Sequence, residues 1–151
     1  MILDSTGKKF GKSEGNAIWL SAKKNSPYYV YQYFMNTSDE DVERFLKLFT
    51  LLSLDEIATI VAEHNKDAAA RFGQRQLAHY VVQTIFGKKA VEAAEKITEV
   101  LFGSENKLEL IKNMNEGEIE ALKHETGGIQ LETVPMSIVD AIIATQLESS
   151  K

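Results

Sequence analysis

Ser26-Pro27-Tyr28-Tyr29-Val30-Tyr31-Gln32-Tyr33-Phe34-Met35-Asn36-Thr37-Ser38-Asp39-Glu40-Asp41 is where this chain passes from an irregular texture to a helical one. Ser26 can cap a helix N-terminus, and Pro27 suits the first helical position, where its fixed φ helps and its missing N–H is not needed. Tyr28, Val30, Tyr31 and Phe34 follow as apolar positions, and the spacing predicts a helix ending near Asn36. Thr37 and Ser38 then lead into Asp39-Glu40-Asp41, whose negative charges favour the positive end of a helix dipole. Val42, Phe45, Leu46 and Phe49 recur at helical spacing and predict a second helix.

The same grammar continues downstream. Ser53 with Glu56 three residues on is a capping-box pattern, and Leu52 and Ile57 occupy staple positions, so a third helix is predicted over about 54–65. Asp67 opens an alanine-rich stretch with Phe72, Leu77, Tyr80, Val81, Ile85 and Phe86 as its apolar face, interrupted at Gly73 and stopped by Gly87. Ala90, Val91, Ala94, Ile97, Val100 and Leu101 define a further amphipathic helix that Gly103 ends, and these last two helices are expected to pack as neighbours. Weaker helical signals lie over about 106–114 and 116–124, the latter introduced by Asn115 and Glu118, before Gly127-Gly128 breaks the chain. Residues 129–134 alternate like a short extended piece, and Ser137 with Asp140 opens a last predicted helix. The fold class is therefore all-α: a helical bundle preceded by an irregular segment, divided as residues 1–26 and 27–151.

Composition bounds the function. Apolar residues at 44% and charged residues at 26% over 151 positions suit a globular domain with a true core, which sets disorder aside. With no cysteine, disulfides and thiolate metal sites are excluded. No apolar run approaches the roughly 18 residues of a membrane span and no signal-peptide core is present, so a soluble, cytoplasmic protein without a membrane partner is expected. Charge is unevenly spread: five lysines against Asp4 and Glu14 give +3 over residues 1–24, leaving −8 for the remainder of a chain whose total is −5. Sequence-independent nucleic-acid binding relies on Lys and Arg displacing counterions, so any RNA contact must be confined to a patch.

The local positive charge sits in Lys8-Lys9-Phe10-Gly11-Lys12-Ser13-Glu14-Gly15-Asn16. A P-loop needs four residues between its glycines, a preceding strand and a following helix; only Lys8, Lys9 and Phe10 separate Gly7 from Gly11, and Thr6 stands where the first glycine belongs. Taken alone, the stretch also reads as a solvated turn with surface lysines.

Taken in order, Lys9-Phe10-Gly11-Lys12-Ser13, Ala17-Ile18-Trp19-Leu20, Ser26-Pro27-Tyr28 to Phe34 and Asn36-Thr37 resemble bacterial-type tyrosyl-tRNA synthetases. In that family Lys-Phe-Gly-Lys-Ser/Thr is the local form of the class I signature loop, KMSKS in its generic spelling. The resemblance spans essentially the whole chain, is most specific through about Ser53 and over Ala90 to Phe102, and loosens from about 104. It implies that Lys9 and Lys12 are catalytic lysines stabilising the triphosphate of ATP as pyrophosphate leaves, with Ser13 donating a hydroxyl to phosphate and Gly11 allowing close backbone approach. Phe10 and Gly11 depart from the generic Met-Ser and agree with the tyrosyl group. The resemblance further implies tyrosine tRNA, tyrosine and ATP with Mg2+ as partners of a homodimeric full-length enzyme, and a helical anticodon-binding domain over 27–151. Asp39 is then the acceptor facing the first anticodon base. The family's nucleotide-binding fold, adenine signature and tyrosine pocket lie upstream of the loop, so residues 1–151 are expected to be a piece that binds no cofactor and catalyses nothing alone.

Bland readings stand beside the specific ones. Asp39 is equally a natural helix-start residue. Tyr28, Tyr29, Tyr31, Tyr33 and Phe34 could stack RNA bases, yet several share one helical face and core packing is the simpler reading. His64, His79 and His124 show no metal-ligand spacing and are expected on surfaces or between helices. Arg71, Arg75, Lys88 and Lys89 could extend a basic RNA face or be solvated. The competing function is a stand-alone helical interaction module with a disordered basic tail.

Overall fold

Ser26 caps the first helix, α1 (Pro27–Met35), its hydroxyl accepting from the Tyr29 N–H at 3.0 Å. The computed structural model describes residues 18–103 and 106–127. Among them the regular structure is wholly helical: α2 (Asp39–Phe49), α3 (Leu54–His64), a 3-10 turn (Ala68–Ala70), α4 (Phe72–Phe86), α5 (Lys88–Phe102), α6 (Lys107–Lys112) and α7 (Glu116–Thr126). None of these helices is long and apolar enough to cross a membrane. The lysine-rich stretch, the extended piece at 129–134 and the helix expected from Ser137 lie outside the described residues.

Local chemistry sets several helix starts. At α3 the Ser53 hydroxyl accepts from the Glu56 N–H, while Glu56 Oε2 accepts from the Ser53 N–H at 2.7 Å, so two otherwise orphaned donors are satisfied reciprocally. The Ser53 hydroxyl also donates to that carboxylate at 2.7 Å, and these bonds hold the Glu56 carboxyl below its usual range. Asn115 and Glu118 build the same box at α7, which Gly127 ends in the left-handed region at φ 66°. Ser38 stands at the N-cap of α2, but its hydroxyl donates to Asp41 Oδ2 at 2.9 Å and it makes no side-chain cap bond.

The alanine-rich stretch differs from the expected single helix interrupted at Gly73. Asp67 caps only the 3-10 turn; the break falls at Arg71, a non-glycine residue at φ 53°, ψ 33°, and α4 begins immediately after it. Gly73 lies inside α4 and serves another purpose. A Cβ there would stand 2.7 Å from Val42 Cγ1 and 3.0 Å from the His64 ring, so its hydrogen is what lets the start of α4 lie against α2 and α3.

The described contacts form two compact units, Met1–Glu99 and Val100–Lys151, with the division inside α5. In the first, α4 packs against α1, α2 and α3. Val30, Tyr31 and Phe34 of α1 join Val42, Phe45 and Leu46 of α2, Ile57 and Ile60 of α3, Leu77, Ala78, Val81 and Val82 of α4, and Val91 and Ala94 of α5 in one core. Phe49 meets Phe34 and Phe45 edge-on at 5.5 and 5.4 Å between ring centres. The expected neighbourhood of α4 and α5 is seen in their shared core and in His79 Nδ1, 2.7 Å from Glu95 Oε1. Gln32 Nε2 donates to Thr98 Oγ1 at 2.8 Å, tying α5 to α1. In the second unit Met114 and Glu118 are buried, and Lys107 Nζ donates to the Leu101 carbonyl at 3.1 Å.

Gly73→Ala tests the close approach. Alanine should gain about 1 kcal/mol of helix propensity, but overpacking against Val42 and His64 costs about 1–3 kcal/mol. A net loss is expected in urea unfolding, and a more stable variant would refute the packing argument. Tyr31 supplies a pH test. Burial, with the Glu95 carboxylate adding to it and Arg75 opposing, pushes its phenol far above the ordinary value near 10. The folded chain thus keeps a proton that the unfolded chain releases. Its stability contribution is intact below about pH 10 and declines above it, by at most about 1.4 kcal/mol per pH unit. Tyr31→Phe should flatten that alkaline decline in denaturant titrations.

Candidate functional site

Asp39 opens α2 with its side chain 59% exposed, yet it is held from behind. Gln74, fully buried in the first turn of α4, donates from Nε2 to Asp39 Oδ1 at 2.6 Å and to the Thr37 carbonyl at 3.2 Å. The short bond to a carboxylate is the stronger, charge-assisted kind. Its amide orientation follows from chemistry: turned over, Gln74 would point its oxygen at a carbonyl and a carboxylate, neither of which can donate.

Arg71 works on the same turn. Its Nη2 donates to the Met35 carbonyl at 2.7 Å and to the Thr37 carbonyl at 3.3 Å, so the Thr37 oxygen takes donors from both Arg71 and Gln74. The left-handed backbone of Arg71 and the start of α4 carry both side chains to the α1–α2 turn.

His64 closes α3 with its ring buried, and its Nε2 lies 3.4 Å from Asp39 Oδ1, outside hydrogen-bonding geometry. Neither His64 ring nitrogen nor Gln74 Oε1 has a hydrogen-bond partner among the described residues. Each such orphan costs about 1–3 kcal/mol relative to a satisfied group. Native interiors keep few of them, and these three belong to the two buried side chains beside Asp39. The assembly presents an acceptor-only carboxylate at the surface, anchored by one oxygen, able to receive N–H donors from a partner.

The other candidates separate. Lys9, Gly11, Lys12 and Ser13 lie outside the described residues. Tyr31 and Phe34 are buried, Tyr28 and Tyr33 pack half-buried against the core, and Tyr29 is 39% exposed, so the aromatic run is chiefly core. Arg71 is a structural tie, Arg75 donates to the Ala70 carbonyl at 3.0 Å, and Lys88 lies 3.7 Å from Glu92. His79 pairs with Glu95 and His124 with Glu125, at 2.7 and 3.1 Å. No group of three or more His, Cys, Asp or Glu among the described residues could hold a metal ion.

Gln74 and His64 were not legible as partners of Asp39. One signal was available: Gln74 shares a helical stripe with Leu77, Ala78 and Val81, and an amide on a buried stripe requires a polar partner.

Known proteins give the frame for this geometry. Residues 1–103 match the sequence profile of tRNA synthetases class I (W and Y). Tyrosine–tRNA ligases of Streptococcus equi subsp. zooepidemicus and Streptococcus pyogenes serotype M49 are 44% and 43% identical to the chain over 152 aligned residues. These alignments take in all of this chain and 35% of each relative, so the chain spans about a third of their length. Among solved structures, a C-terminally truncated mitochondrial tyrosyl-tRNA synthetase of Aspergillus nidulans superposes with a TM-score of 0.56 at 41% identity, covering 58% of this chain and 26% of that one. The corresponding enzyme of Coccidioides posadasii gives 0.53 at 40% identity, covering 56% and 23%. With the match reaching from residue 1 to residue 103, well past half of its length, this chain belongs to the class I tRNA synthetases of the tryptophanyl and tyrosyl group.

Proposed function

We propose that this chain is the part of a cytoplasmic tyrosine–tRNA ligase that joins the ATP-phosphate loop to the anticodon-binding helices. The observation that carries the reading is the 44% identity to tyrosine–tRNA ligases along the whole chain. The family match also takes in the lysine-rich stretch, which counts against an unrelated interaction module with a basic tail.

In this reading Lys9 and Lys12 neutralise the triphosphate of ATP as the tyrosine carboxylate attacks the α-phosphorus and pyrophosphate departs. Cationic donors aimed at developing charge lower such a barrier. Ser13 adds a hydroxyl donor and Gly11 gives room for phosphate; Mg2+ travels with the nucleotide in the full-length homodimer. Residues 1–26 serve the catalytic side and residues 27–151 the RNA. The nucleotide fold and tyrosine pocket belong to the rest of the enzyme, so the purified chain should give no tyrosine-dependent ATP–pyrophosphate exchange. Detectable exchange would overturn that assignment.

Asp39 is proposed to read the first anticodon base. A carboxylate pairs best with two adjacent N–H donors, and guanine is the base that offers such a pair on its Watson–Crick edge. Fluorescence anisotropy with an anticodon arm carrying guanine first, and with the same arm carrying adenine first, tests this at two salt concentrations. The guanine arm should bind better, with both affinities falling as salt rises. Asp39→Asn keeps the acceptor facing Gln74 but loses the charge and one acceptor. It should reduce the preference more than the affinity, whereas equal loss on both arms would refute the role.

A further inference from the structure

We infer that Gln74 is a positioning residue for anticodon reading: from inside the first unit its amide aims the Asp39 carboxylate at the base. The inference rests on the proposed role of Asp39 and goes beyond it by locating what sets the selectivity. Gln74 has no exposed surface, so it can act on a nucleotide only through a neighbour. The two acceptors of its Nε2 are the Thr37 carbonyl, which belongs to the backbone of the turn, and Asp39 Oδ1. An exposed aspartate at the start of a helix would otherwise rotate freely or swing toward the open N–H groups of its own first turn. Here one oxygen is pinned at 2.6 Å, the buried His64 ring stands 3.4 Å from that oxygen, and Oδ2 has no hydrogen-bond partner among the described residues. Fixing the acceptor in advance removes an ordering cost from binding and makes the reward depend on where the donors of the base lie.

The orphaned Gln74 Oε1 strengthens the case. A side chain kept for packing alone would be better as an apolar isostere, which leaves no buried oxygen without a donor. What the amide adds at this position is the pair of donors from Nε2.

The test measures the ratio of affinities for the guanine-first and adenine-first anticodon arms in the full 151-residue chain and in Gln74→Met, Gln74→Glu, Asp39→Asn and the Asp39→Asn/Gln74→Met double variant. Gln74→Met retains length and bulk without the donor; Gln74→Glu retains the shape and turns a carboxylate toward Asp39. Each is expected to reduce the ratio by roughly fivefold or more while leaving the adenine-arm affinity within twofold. In the Asp39→Asn background, Gln74→Met should change the ratio no further, a non-additivity that general destabilisation would not produce. If Asp39→Asn abolishes the preference while both Gln74 variants keep it, the inference is wrong and the reading of Asp39 survives. If the parent chain shows no preference, or Asp39→Asn retains it, the reading itself fails and the inference falls with it.

Discussion

The Thr37 carbonyl oxygen is the acceptor on which the first unit turns. Arg71 and Gln74 both donate to it, and Arg71 also reaches the Met35 carbonyl, so the last carbonyl of α1 and the turn after it are satisfied from the start of α4. Helix ends leave such carbonyls open, and burying them unmet would be costly. The arrangement needs α4 to begin very close to α2 and α3, which Gly73 permits, and it needs Arg71 in the left-handed region, from which its side chain reaches back to the turn.

The same helix then supplies the middle of the core. Leu77, Ala78, Val81 and Val82 continue α4 beneath α1, α2 and α3, from three residues beyond Gln74 onward. The polar anchoring of Asp39 and the apolar packing of the bundle are therefore consecutive segments of one rigid element. A site built on a helix whose far end is locked by packing holds its geometry better than one built on a free loop.

Sequence legibility followed the range of the interactions. Helix starts fixed within four residues were readable: Ser26 with Pro27, the Ser53–Glu56 box and the Asn115–Glu118 box all sit where their spacing places them. The aromatic run of α1 was readable as core because its period is helical. The break at Arg71 was not, because arginine carries no preference for a left-handed backbone; its conformation is sustained by acceptors at Met35 and Thr37, more than thirty positions earlier. For the same reason Asp39 could be named as a candidate, while Gln74 and His64, which surround it, could not: they join it only through the tertiary fold. The lysine loop was named as a candidate through family likeness, since its spacing alone also fits a solvated turn.

The contrast between the start of α3 and the start of α2 bears on the order in which the chain acquires its features. The Ser53–Glu56 box closes over three residues, so α3 can define its own beginning in an otherwise open chain. Asp39 meets Gln74 across 35 residues, a closure whose entropy is offset only when the packing of α4 comes with it. The anchored carboxylate is thus a late product of folding. A nascent or partly unfolded chain can carry well-formed helices and still lack it, so the Asp39–Gln74 anchor is confined to molecules that have completed their tertiary structure.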